Sequence, residues 1–186
     1  MGTKASRALR TAIAFGAVAV FACTSSTGGD ATPPSADASR PAGNWLDIPN
    51  HRILDAATDP DSAHRAVGCA LGTPRVEDET LEFTTNDCVL FWVGVPLRSS
   101  VNAGEPLRLV TTHSALVARA PAEAHLRIDL EDEVLVNRTV PIPSSDAIDI
   151  ATVTPTRDHA AGALLRVHLH NHGENGWRVV SLGRAP

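Results

Sequence analysis

The 186-residue chain has no tyrosine, a single lysine at position 4, three cysteines and an aromatic content of only 4%. Each scarcity removes a class of function. With one lysine and arginines scattered singly, no basic stripe exists to hold phosphates, which excludes nucleic-acid binding and attraction to anionic head groups. No apolar run reaches the ~18 residues of a membrane-spanning helix. Neither a Gly-x-Ser-x-Gly elbow, nor a His-Glu-x-x-His pair, nor a phosphate-binding glycine-rich loop occurs, so serine hydrolase, classical metalloprotease, kinase and NTPase readings lack support. What remains is 43% hydrophobic, enough for one globular domain and too much for a mainly disordered chain.

The N-terminus is the most legible part. Lys4, Arg7 and Arg10 precede an uncharged run of small and apolar residues from Thr11 to Ala22, the layout of a secretory signal peptide and too short to cross a bilayer. The junction Val20-Phe21-Ala22-Cys23 resembles the lipobox of bacterial lipoproteins, with Phe21 standing where the pattern has a small residue. That resemblance implies diacylation of Cys23, which becomes the mature N-terminus, and Thr24, not being Asp, implies an outer-membrane address where the host has two membranes. Ordinary cleavage after Ala22, giving a soluble secreted chain, is the other reading of the same residues. Two or more acyl chains would hold the protein stably on a membrane. Residues 24–44 are built from Ser, Thr, Gly, Ala, Asp and Pro with no large apolar side chain; such a tether has a root-mean-square reach of about 25 Å. The expected organisation is a signal peptide over 1–22, a lipid-attachment cysteine and linker over 23–44, and a folded domain over 45–186.

Loss of the signal removes three of the 16 basic residues and none of the 21 acidic ones, leaving a formal charge of −8. With Cys23 acylated, Cys69 and Cys88 form an even pair in an oxidising compartment, and a disulfide between them is expected, with two buried thiols as the alternative.

From Trp45 onward, period-two alternation and turn residues dominate over helical spacing. Strands are predicted at Leu81–Thr84, Val89–Leu97, Leu107–Val117, Ala124–Leu130, Val134–Val140, Ile148–Val153, Leu164–His170 and Trp177–Leu182, with His51–Asp55 ambiguous and a helical turn possible from Asp61 to Val67. Val89–Val95 is apolar on both faces, as a strand covered on both sides would be. In Ala124–Leu130, His125, Arg127 and Asp129 alternate with leucine and isoleucine and are expected to meet water. Asn175-Gly176 tolerates positive φ, and Leu164–His172 is expected to form an antiparallel hairpin with Trp177–Leu182. The fold class is all-β, an antiparallel β-sandwich of jelly-roll type behind a disordered N-terminal signal and tether. An immunoglobulin-like sandwich is the runner-up, but Trp92 follows Cys88 instead of preceding it.

One cluster rises above background. His168 and His170 share a strand face and can chelate zinc, copper or nickel, with His172, His113 and His125 as further candidates and Asp129 or Glu174 as supporting carboxylates. The plainer reading is a polar face whose histidines bond to their neighbours. Asp59-Pro60-Asp61-Ser62 is read as a solvated acidic turn. Trp177 is the one plausible platform for stacking on a sugar, set against a role in closing the core. The function expected is a lipid-anchored, non-enzymatic binding or interaction module of the cell envelope, with a glycan or an envelope protein as partner and no cofactor. The alternatives are a metal-binding protein or metal-dependent hydrolase built around His168 and His170, and a structural envelope protein.

Overall fold

Among the described residues, eleven strands are divided between two facing sheets. The computed structural model describes residues 43–61, 70–86 and 89–186, all within the unit Asp37–Pro186. The strands are β1 (Arg52–Ile53), β2 (Ala70–Leu71), β3 (Arg75–Glu77), β4 (Thr80–Thr85), β5 (Val89–Pro96), β6 (Leu107–His113), β7 (Ala122–Leu130), β8 (Glu133–Ile142), β9 (Ala147–Val153), β10 (Leu164–Asn171) and β11 (Asn175–Arg184). The first sheet runs β1-β5-β10-β7-β8, with β2 also on β5; the second runs β3-β4-β11-β6-β9. Apart from the parallel β2–β5 contact, the pairings are antiparallel. From β4 onward every connection except β7–β8 crosses between sheets, which is the jelly-roll winding.

All eight predicted strands are present. Their inward residues fill the space between the sheets, with Phe91, Val93 and Val95 of β5, Val167 and Leu169 of β10, and Leu126 and Ile128 of β7 facing Leu81, Phe83, Leu109 and Trp177 of the second sheet. Phe83 and Phe91 meet edge to face, 5.0 Å between centroids, the arrangement the ring quadrupoles favour. β5 is covered on both sides as expected: Leu90 and Trp92 are buried as well, yet stand outside the inter-sheet core. Gly104 and Gly162, each preceded by an alanine (Ala103 and Ala161), have φ of +76° and +88° and occupy equivalent turns just before β6 and β10, which need a residue without Cβ.

Two expectations are corrected. Leu164–His172 and Trp177–Leu182 do not form a hairpin: β10 lies between β5 and β7, while β11 lies between β4 and β6 in the opposite sheet. Asn175 does take a positive φ of 101°, but it serves a corner between sheets, where Asn171 donates to Thr85 Oγ1 and Gly173 N donates to Asn171 Oδ1. Conversely, the β3–β4 hairpin escaped sequence reading because its turn residues, Asp78 and Glu79 at φ 46° and 58°, are both acidic and neither is Gly or Asn.

No helix among the described residues is long and apolar enough to cross a membrane. Cys23, Cys69, Cys88 and the helical turn predicted after Asp61 lie outside the described residues.

Candidate functional site

The outward face of the first sheet carries the polar residues that alternate with its core leucines and valines. In register, His168 of β10 stands between Trp92 of β5 and Arg127 of β7, and His170 stands between Leu90 and His125. Alternation correctly placed these side chains together on one face. It did not reveal that the face is covered, and the expectation that β7 shows water its polar side is overturned: Asp129 is 1% exposed and His125 6%. The segment after β1 comes down over the sheet, with Leu54 N donating to Trp92 O and Trp92 Nε1 donating to Thr58 Oγ1.

That segment contributes two carboxylates, and the reading of Asp59 and Asp61 as a solvated turn is also corrected, since they are 4% and 6% exposed. Asp59 Oδ2 lies 2.6 Å from His168 Nδ1, and both side chains are fully buried. Asp61 Oδ2 lies 3.0 Å from His125 Nδ1. The Asp61 amide donates to Asp59 Oδ1, tying the two acids to one geometry. Burial by itself would raise the Asp59 carboxyl; the hydrogen bonds from His168 and the Asp61 amide and the charges of His168 and Arg127 outweigh it and hold the group below its ordinary value.

The hydrogen bonds also decide which ring nitrogens are available. His168 donates Nδ1–H to Asp59; its Nε2 is buried with no hydrogen-bond partner among the described residues, and in the neutral ring that atom presents the lone pair. His125 Nε2 is 2.7 Å from Asn137 Oδ1. Because a carboxamide oxygen only accepts, Nε2 carries a proton, so Nδ1 either donates to the Asp61 carboxylate as an imidazolium or turns its lone pair toward it. Two acceptors at that distance repel unless a proton or a metal cation lies between them. Asp61, His125 and His168 each offer a ligand atom within 4.8 Å of the others. Four-coordinate zinc at about 2.1 Å sets its ligand atoms about 3.4 Å apart, a value bracketed by the 3.0 Å pair and that outer limit. A histidine whose far nitrogen donates to a carboxylate is the usual supporting arrangement of a metal ligand, because the carboxylate orients the ring and raises its basicity.

Of the histidines singled out from sequence, only His125 and His168 belong to this group. His170 is buried on the same face with its ring centroid 6.5 Å from that of His168. His172 is exposed and its ring lies tilted against that of His170, 4.4 Å between centroids. His113 is excluded by topology: it sits on β6 in the opposite sheet, facing inward against Trp177 at 4.6 Å. Trp177 is 2% exposed and is a core residue, so it cannot act as a stacking platform. Asp129 serves Arg127 rather than a histidine, and Glu174 bridges Val117 through its backbone.

Sequence reading also missed His159. Its imidazole is fully buried, with Nδ1 and Nε2 each 3.1 Å from a carboxylate oxygen, of Glu131 and Glu133 respectively. With Thr156 N on Glu133 and Arg157 on Asp132, it clasps the β7–β8 turn. Spacing gives no hint of this pairing, since His159 lies 28 and 26 residues from its partners. On the outer face of the second sheet an open groove of about 440 Å³ is lined by Glu82, Thr112, Asp146, Ile148 and Arg178 among others, with no Trp or Phe.

No family model and no curated protein matches the chain. Among solved structures it is similar to an arabinose-bound GH51 α-L-arabinofuranosidase at 9% identity and a TM-score of 0.38, over 55% of this chain and 19% of that one. A CBM4 structure is similar at 14% identity and 0.37, over 74% and 96% of the two chains. A CBM61 in complex with β-1,4-galactotriose is similar at 11% and 0.32, over 75% and 86%. The chain thus spans about a fifth of the arabinofuranosidase, and at these TM-scores none of the three bears on ligand or site.

Proposed function

We propose that the mature chain is an extracytoplasmic, non-enzymatic metal-binding module of the cell envelope, held at a membrane by a lipid on Cys23. In this reading Asp61, His125 and His168 ligate one divalent transition-metal ion. The observation that carries it is the buried Nε2 of His168, which has no hydrogen-bond partner among the described residues while Asp59 holds the opposite nitrogen. Two imidazole nitrogens and one carboxylate oxygen suit zinc, copper or nickel and are too nitrogen-rich for calcium or magnesium. The ligands are 0–6% exposed, so the ion is enclosed by protein, which favours retention of the metal over chemistry on a bulky substrate. Support for the location is the basic, apolar and Ala22-Cys23 pattern of the N-terminus.

The test is the metal content of the mature chain, residues 23–186, purified without a histidine tag beside Asp61→Asn and His168→Ala. One zinc, copper or nickel ion per chain, lost in both variants, is the expected result. A folded wild-type chain that neither retains such an ion nor takes up added zinc would refute the metal reading. For the anchor, the mass of the N-terminal peptide from the native host is expected to exceed that of unmodified Cys23 by a diacylglyceryl group, and an unmodified cysteine would refute it.

A further inference from the structure

From residue 52 to residue 61 the only buried side chains are Asp59 and Asp61; Ile53 is exposed, and Leu54 and Ala56 are half-buried. A segment held by the hydrophobic effect buries its apolar residues and shows its charges. This one does the reverse, inserting two carboxylates into a layer already occupied by His125, His168, Arg127 and Asp129. Burying a carboxylate is costly unless an opposite charge or a metal compensates it. Each Asp meets one of the two histidines from the sheet.

Resting on the metal reading above, we infer that the ion is the fastener of this segment: it joins Asp61 of the covering chain to His125 and His168 of the sheet, and the outer face of the first sheet is closed only when the metal is bound. Asp59 reinforces the closure by orienting His168 from the same covering segment. The ion and the Asp59–His168 hydrogen bond thus act beside the Leu54–Trp92 and Trp92–Thr58 hydrogen bonds. Removing the ion cuts the link from Asp61 to the sheet and leaves the half-buried Leu54 and Ala56 as the apolar contacts of the segment. Trp92 lies beneath it, its indole nitrogen on Thr58. The exposure of that face would therefore follow the availability of the metal.

Hydrogen exchange on the mature chain, with zinc bound and after stripping by a chelator, reads this directly. The amide of Leu54, bonded to the Trp92 carbonyl, reports detachment. In the stripped protein, residues 54–61 should exchange at least about tenfold faster, while β5, β7 and β10 keep their protection, and stoichiometric zinc should restore the slow rate. Asp61→Asn should exchange at the stripped rate with or without zinc. Trp45 and Trp177 lie in the inter-sheet core, so a red shift of emission on stripping is assigned to Trp92 and should vanish in Trp92→Phe. Zinc bound with no change in exchange at 54–61 would overturn the fastener and leave the metal site standing. Loss of protection across all strands would also overturn it, because the ion would then hold the whole fold. Failure of the chain to bind zinc at all would overturn both.

Discussion

Replacing Asp59 tests the site without touching a ligand atom. Its carboxylate receives His168 Nδ1–H at 2.6 Å, and both side chains are fully buried, so the bond is charge-assisted and unscreened by solvent. In Asp59→Asn the side-chain oxygen still accepts that proton but the charge is gone. Hydrogen bonds to charged partners contribute about 1.5–3 kcal/mol and neutral ones about 0.5–1.5; a difference of about 1.4 kcal/mol is tenfold in affinity. Asp59→Asn should therefore weaken zinc binding about tenfold. Asp59→Ala leaves the ring nitrogen without an acceptor and the imidazole free to turn, and should approach the hundredfold end of the range for lost supporting partners. His168→Ala, which deletes the ligand atom, should bind more weakly than either. Competition with a chromophoric zinc chelator at neutral pH measures all four proteins on one scale, with circular dichroism confirming that each is folded. Affinities indistinguishable among wild type, Asn and Ala would refute the reasoning, since Asp59 would then neither orient nor polarise His168.

Truncation of His159 should be costly for stability and silent for metal: His159→Ala removes two carboxylate bonds from a fully buried ring and leaves Glu133, whose side chain is 14% exposed, held by Thr156 alone among its described partners. A loss of about 3 kcal/mol is expected by urea denaturation, and a loss below about 1 kcal/mol would show that the clasp contributes little. Acid should destabilise the metal-stripped domain with a defined sign. Asp149, through its hydrogen bond with Arg138, and Asp59, where histidine and amide contacts outweigh burial, are held below the ordinary aspartate value. Unfolded chains take up protons at about pH 3.9, so this stability is complete above that value and drains as pH falls through the lower folded values. Unfolding midpoints across acidic pH should show that slope, reduced in Asp149→Asn; an identical profile in the variant would remove Asp149 as a cause.

Much of the fold was legible because its signals are local. In β7, Leu126, Ile128 and Leu130 alternate with His125, Arg127 and Asp129, and the leucines do face the core. Alternation sorts side chains onto two faces; it is silent on what lies against each face. For that reason His125 and His168 were found as candidates, whereas Asp59 and Asp61 were read as solvent-facing and His113 was grouped with residues of the opposite sheet. Trp177 was ambiguous for a related cause: a tryptophan at a strand start serves equally as rim or core until the sheet opposite is known.

The sequence by itself determined the eight longer strands and the turn glycines at 104 and 162, because each depends on residues within a few positions of one another. Only the tertiary structure decided that β10 and β11 separate into different sheets, since an Asn-Gly pair supplies the same backbone freedom to a hairpin and to a corner. It also decided the site. His168 and Asp59 are 109 residues apart, and no local periodicity records that a short segment with no buried apolar side chain folds back to set two carboxylates over a pair of histidines.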